Sequence, residues 1–104
     1  MTPPLTDPVV HVVIMDVDAE TYDRVAQELA DEAQRLAAKI PGARGIEVLG
    51  TEDKSRIMIS SEWDDINSWA HAEWNSEMQA VVLRIFGSAT TIQAKIYKHI
   101  IARG

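Results

Sequence analysis

From residue 9 the chain alternates between runs that are apolar at every position and runs that are apolar at every third or fourth. Val9–Asp16, VVHVVIMD, is β-branched almost throughout and is bounded by Pro8 and an acidic cluster, the pattern of a strand. Its two faces, Val9, His11, Val13, Met15 and Val10, Val12, Ile14, are both mostly apolar, which predicts burial on both sides. Tyr22, Val25, Leu29, Ala33, Leu36 and Ile40 then recur at helical spacing and predict one amphipathic helix over 19–40. Asp18 stands at its capping position, Glu20 and Asp23 near its start and Arg35 and Lys39 near its end, as the helix dipole favours. Pro41-Gly42 stops it.

Two extended segments follow, 44–51 and 55–63, joined by the polar turn Glu52-Asp53-Lys54, which predicts a hairpin. Asp64 and Asp65 read as helix-start residues, with Ile66, Trp69 and Ala70 on the apolar side of what they open. A break is expected near Asn75, because Ser76 and Gln79 make a capping box. Met78, Val81, Val82, Ile85 and Phe86 form the stripe of the restarted helix, and Gly87 ends it. Residues 90–101, TTIQAKIYKHII, predict a last strand.

The order β-α-β-β-α-β predicts an α+β, ferredoxin-like domain with a four-stranded antiparallel sheet, residues 9–104, behind a loose tail of residues 1–8. Two helical regions cover one sheet face. The other would be an apolar patch in water, so a second copy is expected on it, closing a two-fold homodimer. A pocket is expected between sheet and helices.

Composition narrows the function classes. Sixteen acidic residues against 10 basic give a net charge of -6, which repels phosphate, so no nucleic-acid partner is expected. The chain has no cysteine, which excludes thiol chemistry and Cys-based metal sites. Its apolar runs are too short to span a bilayer and residues 1–8 lack the features of a secretory signal, so a cytoplasmic protein away from membranes is expected.

The candidate chemistry lies in the aromatic and histidine residues. Trp63 and Trp69 read either as core or as a stacking wall for a flat ligand. Trp74 stands at the helix break as a half-buried residue, a lid or an anchor. His71, on a polar helical stretch, is a candidate base or a surface residue. His11 interrupts an apolar strand, so it faces a cavity or is a satisfied core group. In a ferredoxin-like sheet the last strand neighbours the first, so the row Gln93, Lys95, Tyr97 and His99 reads as an ordinary solvated face or, with His11 approaching it, as a small polar site. Three histidines without ligand spacing predict no metal site.

The element order, the Pro41-Gly42 stop and the string Glu62-Trp63-Asp64-Asp65-Ile66-Asn67-Ser68-Trp69-Ala70-His71 resemble the antibiotic biosynthesis monooxygenase (ABM) superfamily of dimeric α+β barrels. The resemblance runs from about Pro8 to Ile101. In the cofactor-independent, quinone-forming members, the Trp ending the third strand is paired with an Asn four residues earlier. An aromatic residue lies six residues later, and a His on the second strand. Trp63 and Trp69 match the aromatic positions; Ile59 stands at the Asn position and Leu49 near the His position. In the haem-degrading members an Asn on the first strand and a His on the second helical region hold the haem. Val13 and the stretch Ala80, Val81, Val82 stand there, and haem degradation is the weaker analogy. The resemblance implies a monooxygenase acting without a cofactor on a small aromatic or polycyclic substrate. Trp63, Trp69, Trp74, Ile59 and Tyr97 would contact it, and His71 or His11 would serve as base. The alternatives are a non-catalytic ligand-binding barrel protein, or a cyclase or isomerase on the same scaffold.

Overall fold

The computed structural model describes residues 7–37, 39–73 and 76–98. The elements follow the predicted order: β1 (Val9–Asp16), α1 (Ala19–Ala37), β2 (Ala43–Gly50), β3 (Arg56–Trp63), α2 (Ile66–Glu73), α3 (Ser76–Phe86) and β4 (Thr91–Lys98). The sheet is antiparallel with strand order β2-β3-β1-β4. This is the ferredoxin-like arrangement, with the helices on one side. Most of the predicted tail, Trp74, His99 and the end of the predicted last strand lie outside the described residues.

The local causes are legible at each junction. The Asp18 carbonyl accepts the Tyr22 and Thr21 amides at 3.0 Å and starts α1. Gly42, at φ +86°, turns the chain into β2; a Cβ there would collide with Ser68 of α2 and would sit in the left-handed region besides. The Asp65 carboxylate accepts the Ser68 amide at 2.7 Å and caps α2. That bond, with help from the Ser68 hydroxyl, holds Asp65 below the usual carboxylate range.

Strand alternation sorts the side chains. Val9, Val13, Met15, Ile57, Ser61 and Trp63 are buried on the helix side, against Val25, Leu29 and Leu36 of α1 and Val81 and Ile85 of α3. The open face carries Val10, Val12 and Ile14 of β1 beside Met58 and Ser60 of β3, all half-buried. Both faces of β1 are thus apolar as predicted, but only the helix side is fully covered within one chain. Burial of the helix side is the main favourable contribution to folding, on the order of 25 cal/mol for each Å² of apolar surface removed from water.

Candidate functional site

A cavity of about 560 Å³ lies between the sheet and the helices, within the range that holds a small organic ligand. Its floor is the helix-side face of the sheet: His11 and Val13 of β1, Ile59, Ser61 and Trp63 of β3, Ile92 and Ala94 of β4. Leu29 and Leu36 of α1, Trp69 and Ala72 of α2, and Val82, Leu83 and Phe86 of α3 close the sides. Among the described residues the polar side chains on the wall are His11, Ser61, Glu32 and Gln79, and the rest is apolar or aromatic.

The period of two along the strands produces this floor. Ile59, Ser61 and Trp63 project to one side, and β1 runs antiparallel with His11 opposite Ser61 and Val13 opposite Ile59. Trp63 is 3% exposed, and its Nε1 donates to Ser61 Oγ at 3.0 Å. The Ser61 hydroxyl in turn reaches the His11 main-chain carbonyl at 3.5 Å. Trp69 comes from α2 and its ring stands 5.4 Å from the His11 imidazole, tilted by 48°. Four aligned groups, Trp69, His11, Ser61 and Trp63, therefore form one contiguous wall.

At the rim, Glu32 of α1 is bonded to Arg35, which holds its carboxyl below the usual carboxylate range, and to Arg84 of α3 at 3.1 Å. Arg35 also holds Glu77 at 2.7 Å. These exposed pairs tie α1 to α3, weakly because water and salt screen them.

Trp63, Trp69, Ile59 and His11 line the cavity; His71 and Tyr97 do not, and Trp74 lies outside the described residues. His71 is exposed, and its Nδ1 lies 2.9 Å from the Asn67 carbonyl one turn back. At about 100° per residue it points roughly opposite to Trp69, while Ala72 turns inward again. Tyr97 lies on the open face, 49% exposed, because the register sets it opposite Val10. His11 is opposite Ile96, so that row and His11 are on opposite sides of the sheet: Gln93, Lys95 and Tyr97 form the exposed face, and His11 does not approach them. Leu49, near the family's strand-2 position, is on the open face as well. The sequence reading missed Ser61, Glu32 and Gln79. Ser61 was detectable, since it stands two residues from both Ile59 and Trp63 and shares their face.

Among the described residues no helix is long and apolar enough to cross a membrane, and no three His, Asp or Glu side chains converge as a metal site.

The family model for antibiotic biosynthesis monooxygenase matches residues 8–83. Solved structures share the fold at low identity. SnoaB, a cofactor-independent oxygenase from Streptomyces nogalater, is 15% identical with a TM-score of 0.81, over 92% of this chain and 96% of that one. Rv0793 from Mycobacterium tuberculosis is 7% identical with a TM-score of 0.80, over 94% and 100%. A dimeric protein of unknown function and ferredoxin-like fold from Bacteroides fragilis is 21% identical with a TM-score of 0.75, over 88% and 96%. No curated protein matches the chain. With the family model covering most of its length, the chain belongs to the antibiotic biosynthesis monooxygenase family.

Proposed function

We propose that the chain is a cofactor-independent monooxygenase acting on a planar, polycyclic phenol, with His11 as the base. The observation that carries this reading is the position of His11: an imidazole on the wall of an apolar cavity, 5.4 Å from the Trp69 ring. A flat substrate stacks against Trp69, and Trp63 closes the floor beneath it. In a substrate with a methylene group conjugated to the phenol, His11 takes a proton to leave a delocalised anion. That anion passes one electron to dioxygen. The carbon radical and superoxide join in a C–O bond, and the peroxide takes up the proton. Loss of the second proton from that carbon, with cleavage of the O–O bond, leaves a carbonyl and releases water. One oxygen atom ends in product and one in water, and the substrate supplies all the electrons. The apolar wall keeps the anion from being solvated, which favours electron release.

The chain is also read as a homodimer, formed through the open sheet face. Its supports are the half-buried apolar residues there and the dimeric protein from Bacteroides fragilis that shares the fold.

A second reading, a ligand-binding protein without turnover, is favoured by Ile59, an apolar side chain where the quinone-forming members carry Asn. Oxygen uptake with a hydroxyanthrone separates the two. The oxygenase reading expects uptake above the protein-free rate, equimolar with anthraquinone formed. His11→Ala should lower it at least about a hundredfold and His71→Ala should leave it unchanged. Stoichiometric binding without uptake supports the second reading, and turnover without uptake supports a cyclase or isomerase.

A further inference from the structure

We propose that Ser61 is the oxyanion donor of the cavity, its hydroxyl bonding the ionised oxygen of a bound phenol. This rests on the reading of the cavity as a phenol site and adds to it the group that stabilises the anion.

The argument starts from the proton count of one hydroxyl. Ser61 is 7% exposed, lines the cavity and stands across from His11 on the neighbouring strand. The indole of Trp63 only donates, so its 3.0 Å bond occupies a lone pair of Ser61 Oγ and leaves the hydroxyl proton to point elsewhere. Among the described residues the acceptor for that proton is the His11 carbonyl at 3.5 Å, the outer limit of a hydrogen bond. The proton is therefore weakly committed, and rotation about the Cβ–Oγ bond turns it to a ligand at small cost. A hydroxyl that accepts from an indole is also polarised as a donor, and a charged acceptor strengthens the bond further.

The other polar groups on the wall do not supply this. Ionised Glu32 is an acceptor only and is engaged by Arg35 and Arg84. Gln79 is exposed. His11 removes the proton, and Ser61 beside it receives the charge that this creates. Ile59, which has no donor, lies two residues before Ser61 on the same face, about 6.6 Å along the strand.

The test uses a monohydroxyanthraquinone, whose visible band reports ionisation, bound to the full chain and titrated with pH. His11 and Glu32, the titratable side chains on the wall, are unchanged in every variant, so their influence cancels. Ser61→Ala should raise the ionisation midpoint of the bound probe by about one pH unit relative to the unaltered protein. Ser61→Val, which has no donor, adds no titratable group and suits a strand, should move it the same way and serves if the alanine variant does not fold. Affinity for the methyl ether of the probe, which has no ionisable oxygen, should change by less than about twofold. An unchanged midpoint overturns the proposal, even if stability and Trp63 fluorescence shift, because that is what a merely structural serine would give. Equal loss of affinity for the phenol and its ether overturns it too. Failure of the unaltered protein to bind the probe removes both the phenol site and this donor. A midpoint shift without oxygen uptake on any hydroxyanthrone keeps the donor and removes only the oxygenase reading.

Discussion

The phenol of Tyr22, on the first turn of α1, lies directly over the backbone of Gly50 at the end of β2. A Cβ on Gly50 would fall inside the van der Waals envelope of the ring, with the hydroxyl as the nearest atom. Gly50→Ala should destabilise the fold by about 1–3 kcal/mol, read from urea unfolding, because the ring must move. Adding Tyr22→Phe, which removes that nearest atom, should recover part of the loss, a coupling that two independent substitutions would not show.

Asp16, at the end of β1, is held below its ordinary carboxylate value of 3.8, first by Arg56 Nε at 2.7 Å and then by the Thr91 hydroxyl at 2.6 Å. In the window between the folded and unfolded values the unfolded chain binds the extra proton. The contribution to stability is thus complete above the unfolded value and lost as pH falls through the folded one. Denaturant midpoints measured from pH 6 down to pH 3 should fall less steeply for Asp16→Asn than for the unaltered chain. Part of the slope should remain, since Glu32, Asp65 and Glu77 are shifted the same way.

The two cavity tryptophans should separate in their effects. Trp63 is buried and hydrogen-bonded, so Trp63→Ala should cost about 3–5 kcal/mol of stability and remove binding with the fold. Trp69 is half-buried and faces the cavity. Trp69→Ala should cost about 1–2 kcal/mol in thermal melts yet weaken a planar aromatic ligand about fivefold or more. Tryptophan fluorescence quenching by the ligand should shrink in the same variant. Severe unfolding of Trp69→Ala would retire the stacking role.

For the open face, light scattering at micromolar concentration should give the mass of two chains. Ile14→Asp, with its carboxylate in the centre of that face, should give one chain with the far-ultraviolet spectrum retained. A monomeric mass for the unaltered protein would remove the homodimer.

Elements were easier to read than orientation. The α1 stripe from Tyr22 to Leu36 and the β-branched run of β1 each have a period strong enough to define type and place. Which side of β1 faces the helices was not readable, because Val9, Val13 and Met15 are as apolar as Val10, Val12 and Ile14. Without that parity, the sequence left open whether His11 approaches Tyr97 across β1 and β4; the register sets them on opposite faces. His71 had the same difficulty in helical form: Trp69 and Ala72, three residues apart, are on the inside, and His71, the second of the two residues between them, is outside. Ser61 gave no signal of its own, since a small hydroxyl in a strand is equally at home on a wet surface. Its value comes from Trp63 and His11, partners fixed by strand pairing and not by sequence spacing alone.

The alternation of β1 between cavity floor and open face makes this strand tolerant of exchange and intolerant of slippage. Replacing His11 or Val13 alters the cavity and leaves Val12 and Ile14 where they were. Inserting or deleting one residue within the strand would trade the two sets, carrying an imidazole to the outer side and an isoleucine to the cavity wall. Natural drift in β1 is therefore expected as point substitution at constant length, with changes in chain length confined to the connections beyond Val9 and Asp16.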